Sequence, residues 1–113
     1  MSSRLLTFID RHPALAISRP NRRRLHVEAR QHLVDAHGVR PIGHWAEDGT
    51  IYCVLEAPDQ AAVCQHHAER DLPCDQIHPI AGVDGSRPIS VADNAAVRAF
   101  IARTWHSPAL ATV

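Results

Sequence analysis

All three cysteines of the chain, together with the adjacent pair His66–His67, fall within IYCVLEAPDQAAVCQHHAERDLPC, residues 51 to 74. Thiolate and imidazole donors at close spacing suit borderline ions such as Ni²⁺, Zn²⁺, Co²⁺ and Cu²⁺. Cys64 and His67 stand three residues apart, so on a helix their side chains are neighbours, and His66 beside them extends the patch. A plainer reading competes: Cys53 alternates with Ile51 and Leu55 as a small buried thiol, and Cys64 to His67 form a solvated helix face. Cys74, after Pro73, reads as structural or merely exposed. His12, His26, His32, His37, His78 and His106 stand at no ligand spacing and read as ordinary surface or partly packed histidines. The chain contains no HExxH, CxxC pair, GxGxxG or P-loop, and no Cys–His–Asn arrangement follows from spacing, so an enzyme reading starts weak.

The elements that must position these residues are legible from pattern. Arg4 to Asp10 is a short apolar run that reads as a buried strand, followed by a loop with Pro13 and Pro20. Ser18 or Asn21 can cap a first helix on which Leu25, Ala29, Leu33 and Ala36 recur at helical spacing, with Gly38 as its left-handed end. VRPIGHW and TIYCVLE flank Asp48-Gly49, a strong signal for a two-residue type I′ hairpin. That turn sets a register pairing His44 with Cys53 and Trp45 with Tyr52. Asp59 caps a second helix running to about Arg70, and Pro73 stops it. DQIHPIAGV reads as an edge strand, because His78-Pro79 suits no sheet interior. Strand, helix, strand, strand, helix, strand is the split βαβ order of a ferredoxin-like α+β sandwich. Gly82 to Pro88 form a linker, and Ser90 or Asp93 caps an extra C-terminal helix with Val97, Phe100, Ile101, Thr104 and Trp105 on one face. The division expected is a ferredoxin-like metal-binding domain over 1–84, with linker and helix over 85–113.

Rise per residue brings the donors together. From Asp59 to His66 a helix covers roughly 10 Å, about three residues of strand back from Glu56. His66 then lies near Cys53, with His44 across the hairpin, provided all point into one layer. Both faces of the hairpin read as apolar, one through Ile51, Cys53, Leu55, Ile42 and Ala46, the other through Trp45, Tyr52 and Val54. Two helices cover only one face, so a partner subunit is the economical cover for the second, with the C-terminal helix as its rival.

Composition narrows the partners. Twelve arginines balance 12 acidic residues and the formal charge is zero. That argues against nucleic acid, which needs a basic face. No window approaches a membrane span or a signal-peptide core, so a cytoplasmic protein is expected, with the three cysteines as free thiols or metal ligands rather than a disulfide framework. Nine histidines in 113 residues is the composition's one anomaly.

VRPIGHWAEDGTIYCVLEAPDQAAVCQHHAERDLPCDQI resembles the small actinobacterial nickel-binding proteins, a family catalogued largely as a domain of unknown function. The resemblance rests on Trp45, Tyr52, Cys53, Ala57-Pro58-Asp59, Val63, His66 and Leu72-Pro73. FIDR is similar to that family's first strand, with Asp10 at a usually acidic position. It implies a ferredoxin-like subunit, usually a homodimer, that binds nickel and sequesters it. Cys64 and His67 are additions to the pattern, and His44 replaces a small polar residue. The reading is therefore a homodimeric protein binding nickel or another divalent transition ion through His44, Cys53, Cys64, His66 and His67. Two alternatives are a small dimeric α/β-barrel-type enzyme holding an apolar molecule near Trp45 and Tyr52, and an interaction module without metal.

Overall fold

The computed structural model describes residues 5–74 and 76–105, which leaves His106 outside the described residues. Four strands, β1 (Leu6–Pro13), β2 (Arg40–Glu47), β3 (Thr50–Ala57) and β4 (Ile77–Pro79), form one antiparallel sheet in the order β2-β3-β1-β4. Helix α1 (Arg19–Gln31) links β1 to β2, α2 (Gln60–Ala68) links β3 to β4, and α3 (Ala95–Thr104) follows the sheet. The fold is α+β.

β1 runs three residues beyond the predicted Asp10 end and carries His12 into the sheet, paired with Ile51. Pro13 closes it, where a missing N–H costs least. The β2–β3 hairpin turns on Asp48 (φ 51°) and Gly49 (φ 74°), both left-handed as a type I′ turn requires. His44 pairs with Cys53 and Trp45 with Tyr52, as the turn dictates. A bulge between Pro41 and Gly43 then shifts the register. It places Ile42 with Tyr52 and Val54, not with Cys53 as strict alternation predicts. A side chain at Gly43 would meet Val91 at 2.8 Å and the Ile89 carbonyl at 2.9 Å, so the chain after the linker lies directly on this bulge.

The first helix ends earlier than its apolar spacing suggests. Ser18 caps it, accepting from the Asn21 amide at 3.3 Å, and Leu25 and Ala29 face the core. His32 adopts the left-handed conformation (φ 56°) in place of Gly38, and Leu33 is left half exposed. Asp35 is what competes with further helix. Its Oδ1 accepts from the amides of His37 at 2.8 Å and Val39 at 3.0 Å, organising a turn instead. α2 starts as expected, with Asp59 accepting from the Ala62 amide at 2.8 Å. α3 is capped by Asn94, which accepts from Val97 at 3.0 Å, rather than by Ser90 or Asp93.

The sheet separates two cores. On one face Phe8, Ile51, Cys53 and Leu55 pack under α1 and α2 with Leu25, Val63 and Leu72. On the other, Ile9, Ile42, Tyr52 and Val54 pack against Val91, Val97 and Ile101. α3 thus covers the face for which a partner subunit was expected, and the two apolar faces no longer call for a dimer. No helix of the described residues is long and apolar enough to cross a membrane.

The cysteines depart from expectation. Cys64 is bonded to Cys74, with Cα atoms 5.5 Å apart, and only Cys53 is free. Asp71 (φ 53°) reverses the chain after α2 and returns Cys74 to the helix side. Sequence spacing did not reveal that reversal.

If α3 is the cover of the second face, Ile101→Ala should cost about 2–5 kcal/mol, as for other large-to-small core changes. A chain ending at Asp84 should expose the Tyr52–Val54 face and self-associate. Denaturant unfolding checks the first, and light scattering of both chains the second. A truncated chain that stays monomeric and equally stable would remove α3 from the core.

Candidate metal centre

The layer between the sheet and α1–α2 holds polar groups that such a core normally excludes. Asp10, His12, His66 and His67 are all at most 1% exposed. Asp10 and His12 alternate along β1, so both point to the helix side, and His67 descends on them from α2. One donor atom from each of Asp10, His12 and His67 lies within 4.8 Å of the other two.

The ring orientations follow from neighbouring groups. His67 Nδ1 lies 2.8 Å from the Val63 carbonyl, which can only accept, so this nitrogen carries the proton. Its other nitrogen, Nε2, faces Oδ2 of Asp10 within hydrogen-bond reach, so a proton or a cation stands between the two atoms. Oδ1 of Asp10 is 3.2 Å from His12 Nε2 without hydrogen-bond alignment. Asp10 Oδ1 and both His12 nitrogens remain buried and unpartnered. Burial alone would raise the Asp10 carboxyl, yet the contacts with His12 and His67 outweigh it and lower it to about 2. The group is a buried carboxylate at neutral pH.

His66 is set differently. Its Nδ1–H donates to Asp35 Oδ2 at 2.8 Å, in the turn that ends α1, and its buried Nε2 has no partner. Burial lowers the His66 pKa more than Asp35 raises it, so the ring is neutral with its lone pair free. Arg70 anchors this end of α2 to α1, donating to Glu28 at 3.0 and 2.6 Å and to the His66 carbonyl at 3.0 Å. His66, His67, His44 and Cys53 line one cavity of about 10 Å³, room for about one water. Burial first, and then the nearby His26 ring at 4.9 Å, lowers the His44 pKa. The Cys53 thiol, paired across the sheet with Asp10, is pushed well up by burial and then by the Asp10 charge, so it rests as S–H.

Of the five residues singled out by sequence, four therefore border one space, and His67 also joins the Asp10–His12 cluster. Cys64 does not join them, because its sulfur is bonded to Cys74. Asp10 and His12 are the donors that spacing missed. The available signal was their i, i+2 alternation inside an apolar run, which places two polar groups on a strand's buried face. It was hidden because β1 was read as ending at Asp10.

An ionised Asp10 held below its unfolded value of 3.8 stabilises the fold above that pH and loses this contribution as pH falls toward 2. The shift corresponds to roughly 2 kcal/mol. Acid unfolding of the metal-free protein should steepen between about pH 4 and 2. Asp10→Asn should flatten that limb while destabilising the protein at pH 7, and an unchanged acid limb would remove Asp10 from this role.

Comparison with known proteins adds a family. A family model described as nickel responsive protein SCO4226-like matches residues 8–80, a span that contains Asp10, His12 and His67 and stops short of α3. No curated protein and no solved structure matches the chain. The matched span is well over half of the 113 residues, and the chain belongs to the SCO4226-like nickel responsive protein family.

Proposed function

We propose that this protein binds a divalent transition ion, nickel foremost, through Asp10, His12 and His67, and serves in nickel sequestration or homeostasis. The observation that carries the reading is the set of buried donor atoms at one point: Asp10 Oδ1 and both His12 nitrogens without hydrogen-bond partners, and His67 Nε2 turned toward the same carboxylate. Orphaned polar groups in a core are costly, and a cation can take one donor atom from each of the three residues at once. Two imidazoles and one carboxylate form a borderline donor set suited to nickel and its neighbours. The family's nickel-responsive description favours nickel within that group.

His44, Cys53 and His66 form a second rank in this proposal. They border His67 across the small cavity and keep its surroundings dry, while Asp35 fixes His66. The fold is read as the ferredoxin-like βαββαβ sandwich, supported by the β2-β3-β1-β4 order and the two helical crossovers. The metal-binding domain is assigned to 1–84, supported by a family match that ends at residue 80. The enzyme alternative would be favoured by a dry pocket lined by Trp45 and Tyr52. Their rings stack at 5.7 Å, Trp105 meets Tyr52 at 5.8 Å, and the cleft that Trp45 borders is open to solvent.

Calorimetric titration of the untagged protein with Ni²⁺ should give tight binding that weakens by roughly 100-fold, about 2.7 kcal/mol, in His67→Ala and in Asp10→Asn. His66→Ala should stay within about tenfold of wild type, as for a residue outside the immediate ligand set. Circular dichroism verifies that each variant is folded. Because imidazoles must shed protons to ligate, affinity should fall steeply between about pH 7 and 5. Wild-type affinity in folded His67→Ala, or retention unchanged at pH 5, would refute the site.

A further inference from the structure

The Cys64–Cys74 bond contributes no donor to the cluster of Asp10, His12 and His67, yet it closes the chain around one of those residues. The two cysteines stand ten residues apart in sequence, and the ring they close contains His66 and His67. Cys64 lies one helical turn before His67, on the same short helix. Cys74 lies on the return that follows. Both are partly exposed, whereas the free Cys53 is buried. The bond therefore lies at the surface, where a small reductant meets it, and the residues it constrains point into the core.

Local structure alone secures His67 poorly. α2 has nine residues, and a helix so short does not hold itself together in water. His67 is its last residue but one, in the turn where helices fray. The return of the chain keeps that turn in place. The amides of Arg70 and Leu72 both donate to the His67 carbonyl at 3.0 Å, and the Asn21 side chain donates to the Arg70 carbonyl at 3.0 Å. The return depends in turn on Asp71, held at φ 53°, a left-handed conformation that L residues seldom keep without support. The disulfide pins both sides of it, α2 before and Cys74 after. Opening the bond leaves the return to its hydrogen bonds and to the buried Leu72, and lets His67 move away from Asp10. A metal ligand whose support loosens loses affinity, because the donor set must be held to within fractions of an ångström.

We infer that the Cys64–Cys74 bond is a redox control on the metal site, an inference that rests on the nickel site proposed above. Intact, the bond holds His67 against Asp10; its reduction to two thiols weakens nickel binding by about tenfold or more. Reduction by a dithiol breaks the S–S bond, the two sulfurs take up two electrons and two protons, and the reductant closes as its own disulfide. The coupling is reciprocal, so an ion that prefers the oxidised chain makes the bond harder to reduce. Tenfold tighter binding to the oxidised chain lowers the midpoint of the disulfide by about 30 mV at saturating nickel. Capture of the ion by the freed thiols would shift it the other way, because nickel would then favour the reduced chain.

The test uses the full chain, with Ni²⁺ alone as the ligand. Calorimetry compares the oxidised protein, the protein reduced by a phosphine (which brings no competing thiol), and the Cys64→Ser, Cys74→Ser double variant, with circular dichroism on each. Expected is binding weaker by about tenfold or more in both the reduced protein and the double variant. In a second measurement the wild-type chain is equilibrated with glutathione couples, with and without saturating free nickel, and thiol alkylation followed by mass spectrometry gives the fraction reduced. The midpoint should fall by about 30 mV or more with nickel, and nickel should leave it unchanged in His67→Ala. This measurement needs no cysteine variant, so it decides the outcome even where the double variant does not fold. Equal affinity in the oxidised and reduced protein would overturn the inference and leave the metal site standing. So would a midpoint that nickel leaves unchanged, raises, or lowers equally in His67→Ala. An oxidised chain that takes up no nickel would overturn the metal site, and the redox control with it.

Discussion

A carboxylate in an apolar layer governs this molecule. Asp10 sits on one of the two inner strands of the sheet, 1% exposed, and ionised charge at that depth is tolerated only with partners of matching geometry. Those partners come from two elements far apart in sequence: His12 on the same strand, and His67 on α2. β1 must therefore continue past Asp10, α2 must lie across β1 and β3, and His67 must turn its Nε2 toward the sheet. The Val63 carbonyl secures that last condition. The same constraint explains why the polar atoms at this point exceed the hydrogen bonds available among them. A core that needed only stability would be better served by apolar side chains of similar volume.

Around that point the structure is built to hold α2 in register. Arg70 bridges Glu28 of α1 and the His66 carbonyl, Asp35 grips His66 while shaping the turn that ends α1, and the Cys64–Cys74 bond ties α2 to the chain that follows. Each acts on the segment carrying His66 and His67. His66 is the informative contrast with its neighbour. Both rings are buried and have one nitrogen committed to an acceptor. His67 meets a carboxylate with the other, whereas His66 is left facing a cavity of one water's size. Adjacent residues on a helix point roughly 100° apart, and here that angle separates a ring that meets the Asp10 carboxylate from one that lines a cavity wall.

The second face of the sheet shows a different solution to a similar demand. Tyr52, Val54, Ile9 and Ile42 form an apolar surface that α1 and α2 cannot reach, and the chain covers it with α3 instead of a second subunit. The bulge at Pro41–Gly43 makes this work, turning Ile42 toward α3 and letting Ile89 and Val91 approach the backbone of Gly43. The family match ends before this helix, so the cover is an extension to the matched domain.

By itself, the sequence determined what depends on local chemistry. Asp48-Gly49 specified the hairpin and its first pairs, because only left-handed residues close a two-residue turn. Asp59 specified the start of α2, because its side chain satisfies an amide three residues on. The alternation around Cys53 and the crowding of imidazoles near His66 pointed to the right layer of the molecule. What tertiary structure decided were the features set by neighbours distant in the chain. Pairing with β3 carried β1 on to His12, where local signals gave only a proline loop. The turn at Asp35 cut α1 short against its own apolar spacing. The bulge reversed Ile42, and the return after Asp71 joined Cys64 to Cys74 and took it out of the ligand set. The clustering of Asp10, His12 and His67 rests on a strand and a helix 55 residues apart meeting face to face. Spacing along the chain carries no record of that meeting.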